Sequence, residues 1–131
     1  MKYVRKALCC ILIVAICMSF AIPTFAKTVT SPTYGSVTGT SRRVPNDAVR
    51  VTTSVSSNPD NATLRNSVEF SYGSTLAPMR SANSSAGAKS FVYDFEMMST
   101  IDNPYVYAFC GHEVYRSLSD AVYFQTEVNL S

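Results

Sequence analysis

Apolar and polar residues alternate with a period of two through much of the chain after residue 45. No long segment repeats apolar residues at the 3.6-residue period of a helix. The clearest alternation is Val49 to Val55, where Val49, Val51 and Val55 fall on one side of the pattern. This pattern predicts strands that bury one face and expose the other.

Six strands are predicted on this basis, separated by turn sequences. They cover residues 34–41, 49–55, 64–72, 91–98, 105–115 and 122–128. The turn Asn58-Pro59-Asp60-Asn61 favours a reversal, because proline presets φ and the Asn and Asp side chains bond their own backbone. We therefore expect the second and third strands to form a hairpin. Residues 73–90 are small and polar, which predicts a long surface loop, and residues 105–115 are largely apolar on both faces, which predicts a central strand covered on each side.

Short strands separated by turns predict an all-β fold, a small antiparallel β-sandwich of about six strands in an immunoglobulin-like layout. The single sandwich domain is expected to span residues 46–131. Residues 27–45 are rich in Ser, Thr and Gly and are expected to form either a flexible lead or an edge strand.

The first 26 residues have the composition of an export signal. Three basic residues precede an apolar run over residues 7–22, and Pro23 then breaks this run ahead of Thr24-Phe25-Ala26. This order predicts a signal peptide over residues 1–26, helical in its apolar part and cleaved after Ala26. The run is shorter than the roughly 20 residues that span a bilayer. We therefore expect a secreted, extracellular protein without a membrane segment after cleavage, and the signal looks bacterial.

The charge of the chain changes once the signal is removed. The full chain has a formal charge of +2, but the signal contains three basic residues and no acidic ones, which leaves eight basic against nine acidic residues. This balance gives no basis for binding nucleic acid, which calls for a basic face. Residues 27–90 have seven basic and three acidic residues, whereas residues 91–131 have one and six. The two halves could attract within a domain or between molecules, or simply form a solvated surface.

The stretch FCGHEVY, residues 109–115, contains the two candidate site residues, Cys110 and His112. On a regular strand both point to one face, about 6 to 7 Å apart, whereas Glu113 points to the other. A cysteine nucleophile would need His112 within hydrogen-bond distance and a third group to orient the ring. The other interpretation is a buried, small apolar Cys110 with His112 paired or exposed near the strand end. We expect no catalytic residues and no enzyme activity.

The sequence predicts no metal site and no cofactor. A zinc site takes four donors, or three and a water, and every further candidate ligand near Cys110 and His112 would be a carboxylate. Cys110 is the single cysteine that remains after residue 26, so it has no partner for an internal disulfide. An intermolecular disulfide, and with it a homodimer through Cys110, is a further expectation.

Two segments support a family resemblance. GSVTGTS at residues 35–41 and GHEVYRSLSDAVYFQTEV at residues 111–128, together with the export signal, resemble small secreted Firmicutes proteins of unknown function that have a Ser/Thr-rich β domain. That resemblance implies secretion and a β-sandwich, and no activity. In size and overall composition the chain is also similar to lactococcin-type bacteriocins. It differs from them in having no tryptophan and no N-terminal segment rich in glycine and aromatic residues.

The function expected from these observations is a secreted, non-enzymatic extracellular interaction module. Its partner would be a cell surface, a polymer, a protein or a second copy of the chain, and tyrosines on Ser/Thr-rich strand faces favour a carbohydrate or cell-wall contact surface. The alternative is a bacteriocin-like secreted antagonist of other bacteria.

Overall fold

The computed structural model describes residues 24–98 and 104–131, and in this part of the chain all regular secondary structure is β. Nine strands follow one another: β1 Phe25–Ser31, β2 Gly35–Val44, β3 Ala48–Val55, β4 Thr63–Tyr72, β5 Thr75–Leu76, β6 Arg80–Asn83, β7 Ser90–Glu96, β8 Tyr107–Tyr115 and β9 Val122–Asn129.

The strands form two antiparallel sheets that pack face to face. The first sheet has the order β1-β2-β3-β7. In the second, β4 is flanked on one side by the short strands β5 and β6 and on the other by β8, and β9 lies outside β8. The adjacent pairs β3 and β7, β4 and β8, and β8 and β9 correspond to the pairs B–E, C–F and F–G of immunoglobulin-like sandwiches. The predicted all-β sandwich is confirmed.

Three strands were not predicted. β1 extends the first sheet beyond β2, over residues predicted as a lead, and β5 and β6 lie in the stretch predicted as a surface loop. β5 and β6 are short and largely exposed, with four residues at most, so they contain too few alternating positions to show a period. The strand alternative for residues 34–41 corresponds to β2, but β2 lies between β1 and β3 and is not an edge, since β1 occupies that position.

The predicted hairpin between residues 49–55 and 64–72 is wrong, because β3 and β4 belong to different sheets. β3 instead forms a hairpin with β2, through a turn in which Asn46 and Asp47 have positive φ angles of 65° and 49°. Asn and Asp tolerate this left-handed region better than other non-glycine residues. The turn at Asn58 does reverse the chain, but the strand that follows this turn belongs to the other sheet.

The side chain of Asn58 holds this crossing in place. Its Oδ1 accepts a hydrogen bond from the Ala62 amide at 2.8 Å, and its Nδ2 donates to the carbonyl oxygens of Ala62 and Ala88 at 3.0 and 2.8 Å. One amide side chain therefore satisfies three backbone groups that no strand partner reaches. The predicted turn and the two strands that it joins are confirmed, whereas the predicted pairing between those strands is wrong.

The interior contains two apolar clusters, one toward each end of the sandwich. One is made of Val49, Val51, Val68, Phe70, Phe95, Ala108, Cys110, Val128 and Leu130. The other is made of Tyr34, Val37, Val55, Ala62, Leu64, Val114 and Phe124. Buried polar residues from both sheets lie beside these clusters: Ser41, Thr53, Asn66, His112 and Thr126.

β8 lies between β4 and β9, so the prediction that it is a central strand of its sheet is confirmed. The prediction that both of its faces are covered is wrong. Its inward face is buried against the first sheet, but Tyr107, Phe109, Glu113 and Tyr115 on the outward face stay half-buried or exposed. Aromatic residues are enriched on surfaces that bind partners as well as in cores, so composition alone does not separate the two cases.

The basic and acidic halves of the chain meet within this one domain. Arg50 on β3 forms a two-pronged ion pair with Asp94 on β7, with both N···O distances at 2.8 Å. Arg65 on β4 lies 3.6 Å from Glu113 on β8. The hydrogen bonds from Arg50 lower the pKa of Asp94 below its ordinary value. Each of these ion pairs joins a residue of the basic half to a residue of the acidic half on a neighbouring strand. At least part of the attraction between the two halves is therefore within one domain.

Most of the predicted signal peptide, including the predicted N-terminal helix, lies outside the described residues. Phe25 and Ala26, its last two residues, are paired in β1 with Ser41 and Thr40. Cleavage after Ala26 would leave Lys27 to Ser31 of this strand. Across residues 24–98 and 104–131, no helix has the length and apolarity that a membrane span needs.

We predict that Gly39→Ala destabilises the protein by about 1 to 3 kcal/mol, the range for inserting an atom into a filled core. A Cβ at Gly39 would overlap the imidazole of His112, lying 2.6 Å from its Cδ2 and Nδ1. Urea unfolding measures the free energy difference. Thr40→Ala, one residue along the same strand and half-buried on its outer side, is the matched control and should shift stability by no more than about 0.5 kcal/mol. Equal effects of the two substitutions would contradict the prediction.

Candidate functional site

The stretch that the sequence singled out is divided between the two faces of β8. Cys110 and His112 are both fully buried and point inward between the sheets, whereas Phe109, Gly111 and Glu113 belong to the outward face. Strand alternation therefore separates Glu113 from the other two, as expected from the sequence. The two faces have different chemistry and are described in turn.

Cys110 packs among apolar side chains, with the Ser41 side chain beside its thiol. It belongs to the cluster that contains Phe70 and Val128, and its Sγ lies 3.9 Å from the carbonyl oxygen of Ala108. Burial raises the pKa of the Cys110 thiol to about 12. Because the thiolate is the nucleophilic form, this thiol is poorly suited to covalent chemistry in the folded protein.

His112 is the centre of a hydrogen-bond network that crosses the sandwich. Its Nδ1 lies 2.9 Å from Thr53 Oγ1 on the first sheet, and its Nε2 lies 2.8 Å from Thr126 Oγ1 on β9. Thr53 donates to Asn66 Oδ1 at 2.6 Å, and Thr126 Oγ1 lies 2.7 Å from Ser41 Oγ. Asn66 Nδ2 completes the network by donating to the carbonyl oxygens of Val51 and Phe91 at 2.8 and 3.1 Å.

These contacts are mutually consistent only for one arrangement of protons. Because Thr53 gives its single hydroxyl proton to Asn66, Nδ1 of His112 must donate to Thr53. Nε2 of a neutral ring then accepts from Thr126, and Thr126 in turn accepts from Ser41. Burial lowers the pKa of His112 to about 4, which agrees with a neutral imidazole. Each polar group of the network therefore has a partner.

Packing fixes the position of the ring as well. The imidazole stacks on Phe124 with ring centroids 5.2 Å apart, and Gly39 on the facing sheet leaves the space that the ring fills. Both ring nitrogens are bonded to threonine hydroxyls, so Cys110 is not a hydrogen-bond partner of His112. Within the described ranges, no group of three or more His, Cys, Asp or Glu side chains is placed to hold a metal ion. The inward residues of FCGHEVY therefore pack between the two sheets, and His112 links the sheets through hydrogen bonds.

The outward side of the second sheet presents a different set of residues, which we call the platform face. It is defined by eleven outward residues of the three long strands: Arg65, Ser67 and Glu69 on β4, Tyr107, Phe109, Gly111, Glu113 and Tyr115 on β8, and Tyr123, Gln125 and Glu127 on β9. Aromatic rings, hydroxyls, an amide and four charged groups are thus combined on one face.

Tyr123 leans across the centre of the platform face, and Gly111 makes this position available. A Cβ at Gly111 would overlap Ser67 Oγ and come within 3.3 Å of Cε2 of the tyrosine ring. Gln125 Nε2 donates a 2.7 Å hydrogen bond to the Tyr123 hydroxyl, and 59% of the tyrosine surface stays exposed. An aromatic ring that covers a strand glycine is a known way to stabilise a sheet. Here the same arrangement also leaves a fixed aromatic surface in contact with solvent.

One end of the platform face is concave. An open cavity of about 340 Å³ is lined by Thr63, Arg65, Asn83, Glu113 and Tyr115. The Arg65 guanidinium is positioned by Glu113 at 3.6 Å and by Ser81 Oγ at 3.4 Å. The cavity therefore has hydrogen-bond donors, acceptors and an aromatic ring in fixed positions beside Tyr123, which is paired in register with Glu113.

A separate polar contact closes the end of the sandwich beyond this cavity. Tyr34 is fully buried, and its hydroxyl donates to Asp60 Oδ2 at 3.0 Å, which ties the β1–β2 turn to the β3–β4 connection. Burial, followed by this hydrogen bond, raises the pKa of Tyr34. The contact joins two loops of the same domain, and Asp120 in the β8–β9 loop lies beside it.

The comparisons with known proteins do not extend this description. No protein-family model matches the chain, and no significant match was found among curated proteins or solved structures. The resemblance to small secreted Firmicutes proteins and to lactococcin-type bacteriocins therefore stays a prediction.

We predict that His112 in the folded protein stays neutral until the pH approaches 4. The folded protein should therefore lose stability in acid, where the unfolded chain is protonated first. Between pH 6.5, the ordinary pKa, and about 4, the unfolded chain binds a proton that the folded chain does not. The contribution of His112 to the free energy of unfolding should therefore fall by about 3 kcal/mol across that window and level off below it. Because His112 is the one histidine in the sequence, its NMR titration is unambiguous. A midpoint near 6.5 would contradict the prediction.

The buried position of Cys110 predicts slow thiol chemistry. The native protein should react with a thiol reagent at least a hundredfold more slowly than the protein in denaturant, since the thiol is exposed only on opening of the sandwich. Time-resolved mass spectrometry measures the labelling. Intact mass without and with reductant tests the expected intermolecular disulfide in the same samples. Rapid stoichiometric labelling of the native protein would contradict the prediction.

Proposed function

We propose that this protein is a secreted, non-enzymatic extracellular module that binds a polysaccharide through the platform face. The observation that carries the proposal is the exposed ring of Tyr123, seated across Gly111 beside an open cavity lined by hydrogen-bonding side chains. The composition of the N-terminal residues supports export. The buried, fully bonded state of His112 and the raised pKa of Cys110 favour a binding role over catalysis.

A sugar ring matches this surface in two respects. Its C–H groups form an apolar face that can lie against an aromatic ring, and aromatic side chains offer a large contact area that loses little conformational entropy on binding. Its hydroxyls need donors and acceptors at the rim of that contact. Arg65, Asn83 and Glu113 supply both kinds of group within the same cavity.

The shape of the face favours a polymer over a small molecule. Small-molecule sites enclose most of the ligand surface, whereas this cavity is open and continues into the rest of the platform face. The aromatic residues Tyr107, Phe109 and Tyr115 lie along β8, and Tyr123 lies beside it, so successive units of one chain could each meet a ring. A bacterial cell wall or an environmental polysaccharide would provide such a chain.

We predict that Tyr123→Ala weakens polysaccharide binding about tenfold, which corresponds to about 1.4 kcal/mol, a value typical of losing one aromatic contact. The full chain is expressed, purified and tested for retention on insoluble cell-wall and plant polysaccharides and for affinity toward soluble fragments. The matched control is Tyr93→Ala. Tyr93 lies on β7 of the other sheet and is 44% exposed, compared with 59% for Tyr123.

The control separates a binding role from a general effect on the fold. Both tyrosines are exposed, so both variants should remain folded by circular dichroism, and binding by the Tyr93 variant should equal that of the unaltered protein. Absence of binding to every polysaccharide tested, or equal losses in the two variants, would overturn the proposal.

A further inference from the structure

The platform face contains one transverse row with an unusual charge pattern. Phe109 on β8 is paired in register with Glu69 on β4 and with Glu127 on β9. Directly opposed residues on one face of a sheet have Cβ atoms about 5 Å apart. The half-buried phenylalanine ring is therefore flanked on both sides by a carboxylate, and we call this set the Phe109 row.

Neither carboxylate in the Phe109 row is neutralised by the described part of the chain. The three ion pairs in that part of the chain involve the carboxylates of Asp47, Asp94 and Glu113. Arg65, the one basic residue of the platform face, is paired with Glu113 in a row nearer the cavity. Among the described residues, the row therefore presents two carboxylates beside an aromatic ring, and neither forms an ion pair.

This combination suits an organic cation. An aromatic face attracts an ammonium group through its quadrupole, and flanking carboxylates add charge-assisted hydrogen bonds. The Cα atoms of the two glutamates are separated by two strand spacings, about 10 Å, with the ring between them. A divalent cation such as Ca²⁺ takes six to eight oxygen ligands, and within the described residues no third His, Cys, Asp or Glu joins these two carboxylates to form a metal site.

We propose that the Phe109 row binds protonated amines, and that the ligand of the platform face is a polymer of amino sugars with free amino groups. This inference rests on the proposed function, because it specifies the class of polysaccharide. The argument for this ligand is charge complementarity between the two carboxylates of the row and the protonated amino groups of the polymer. The row lies two residues along β8 from Gly111, a step of about 7 Å, so one chain that lies along β8 meets both the Tyr123 ring and the carboxylates.

The experiment compares two polymers that differ in one group. Affinity of the full-chain protein is measured for soluble oligomers of glucosamine and for the same oligomers with every amino group acetylated, at pH 6 and low salt. We expect at least tenfold tighter binding of the free-amine form, and that difference should shrink as salt is added. Polylysine of similar length is the third ligand.

Two double variants separate the row from general charge effects. Glu69→Gln with Glu127→Gln should bring the affinity for the free-amine oligomer down to that for the acetylated one, and leave the acetylated oligomer unaffected. Asp47→Asn with Glu96→Gln removes the same number of charges from exposed positions in the β2–β3 turn and on β7, away from the platform face, and should change neither affinity. Tyr123→Ala should weaken both.

The outcomes distinguish this inference from the proposed function. Equal affinity for the two oligomers, with no effect of the glutamate variant, would overturn the amine site and leave polysaccharide binding intact. Failure to bind either oligomer or any other polysaccharide would overturn both. Tighter binding of polylysine than of the glucosamine oligomers, lost in the glutamate variant, would overturn the choice of an amino sugar in favour of a basic peptide.

Discussion

The hydrogen-bond network around His112 is the interaction on which the rest of this sandwich depends. Five buried polar side chains from both sheets meet beside two apolar clusters, and the network is stable only because each donor finds an acceptor. An unpaired buried polar group costs about 1 to 3 kcal/mol, so a sliding of one sheet against the other would be penalised at several groups together. Apolar packing alone would tolerate such a shift more easily. The network therefore fixes how the two sheets are aligned.

That alignment also determines the outer surface. β8 provides His112 to the network and, from the alternate residues of the same strand, Phe109, Gly111 and Glu113 to the platform face. Because His112 is held by two hydrogen bonds and by stacking on Phe124, the outward residues of the same strand are held in fixed positions. A binding surface built on the central strand of a sheet is more rigid than one built on loops, and rigidity lowers the entropy lost when a ligand binds.

The sequence predicted the strands better than their partners. Alternation identified β3, β4, β7 and β9, and a largely apolar run identified β8, whereas β2 was one of two alternatives for its segment. The position of Cys110 and His112 on one face followed from the period of two. β5 and β6 were too short to show a period, and β1 lies across the predicted end of a signal peptide, where composition was interpreted as targeting. The hairpin error has another cause. Asn58, Pro59 and Asp60 indicate a turn, but a turn sequence does not specify which sheet receives the next strand.

The sequence by itself determined the fold class and the inward and outward residues of most strands, since both follow from the local order of apolar and polar residues. The tertiary structure decided that His112 is bonded by Thr53 and Thr126, which are 59 and 14 residues away in the chain. It also decided that Glu69 and Glu127 flank Phe109. Both results depend on strand register, which arises from contacts between distant segments and leaves no periodic trace in the sequence.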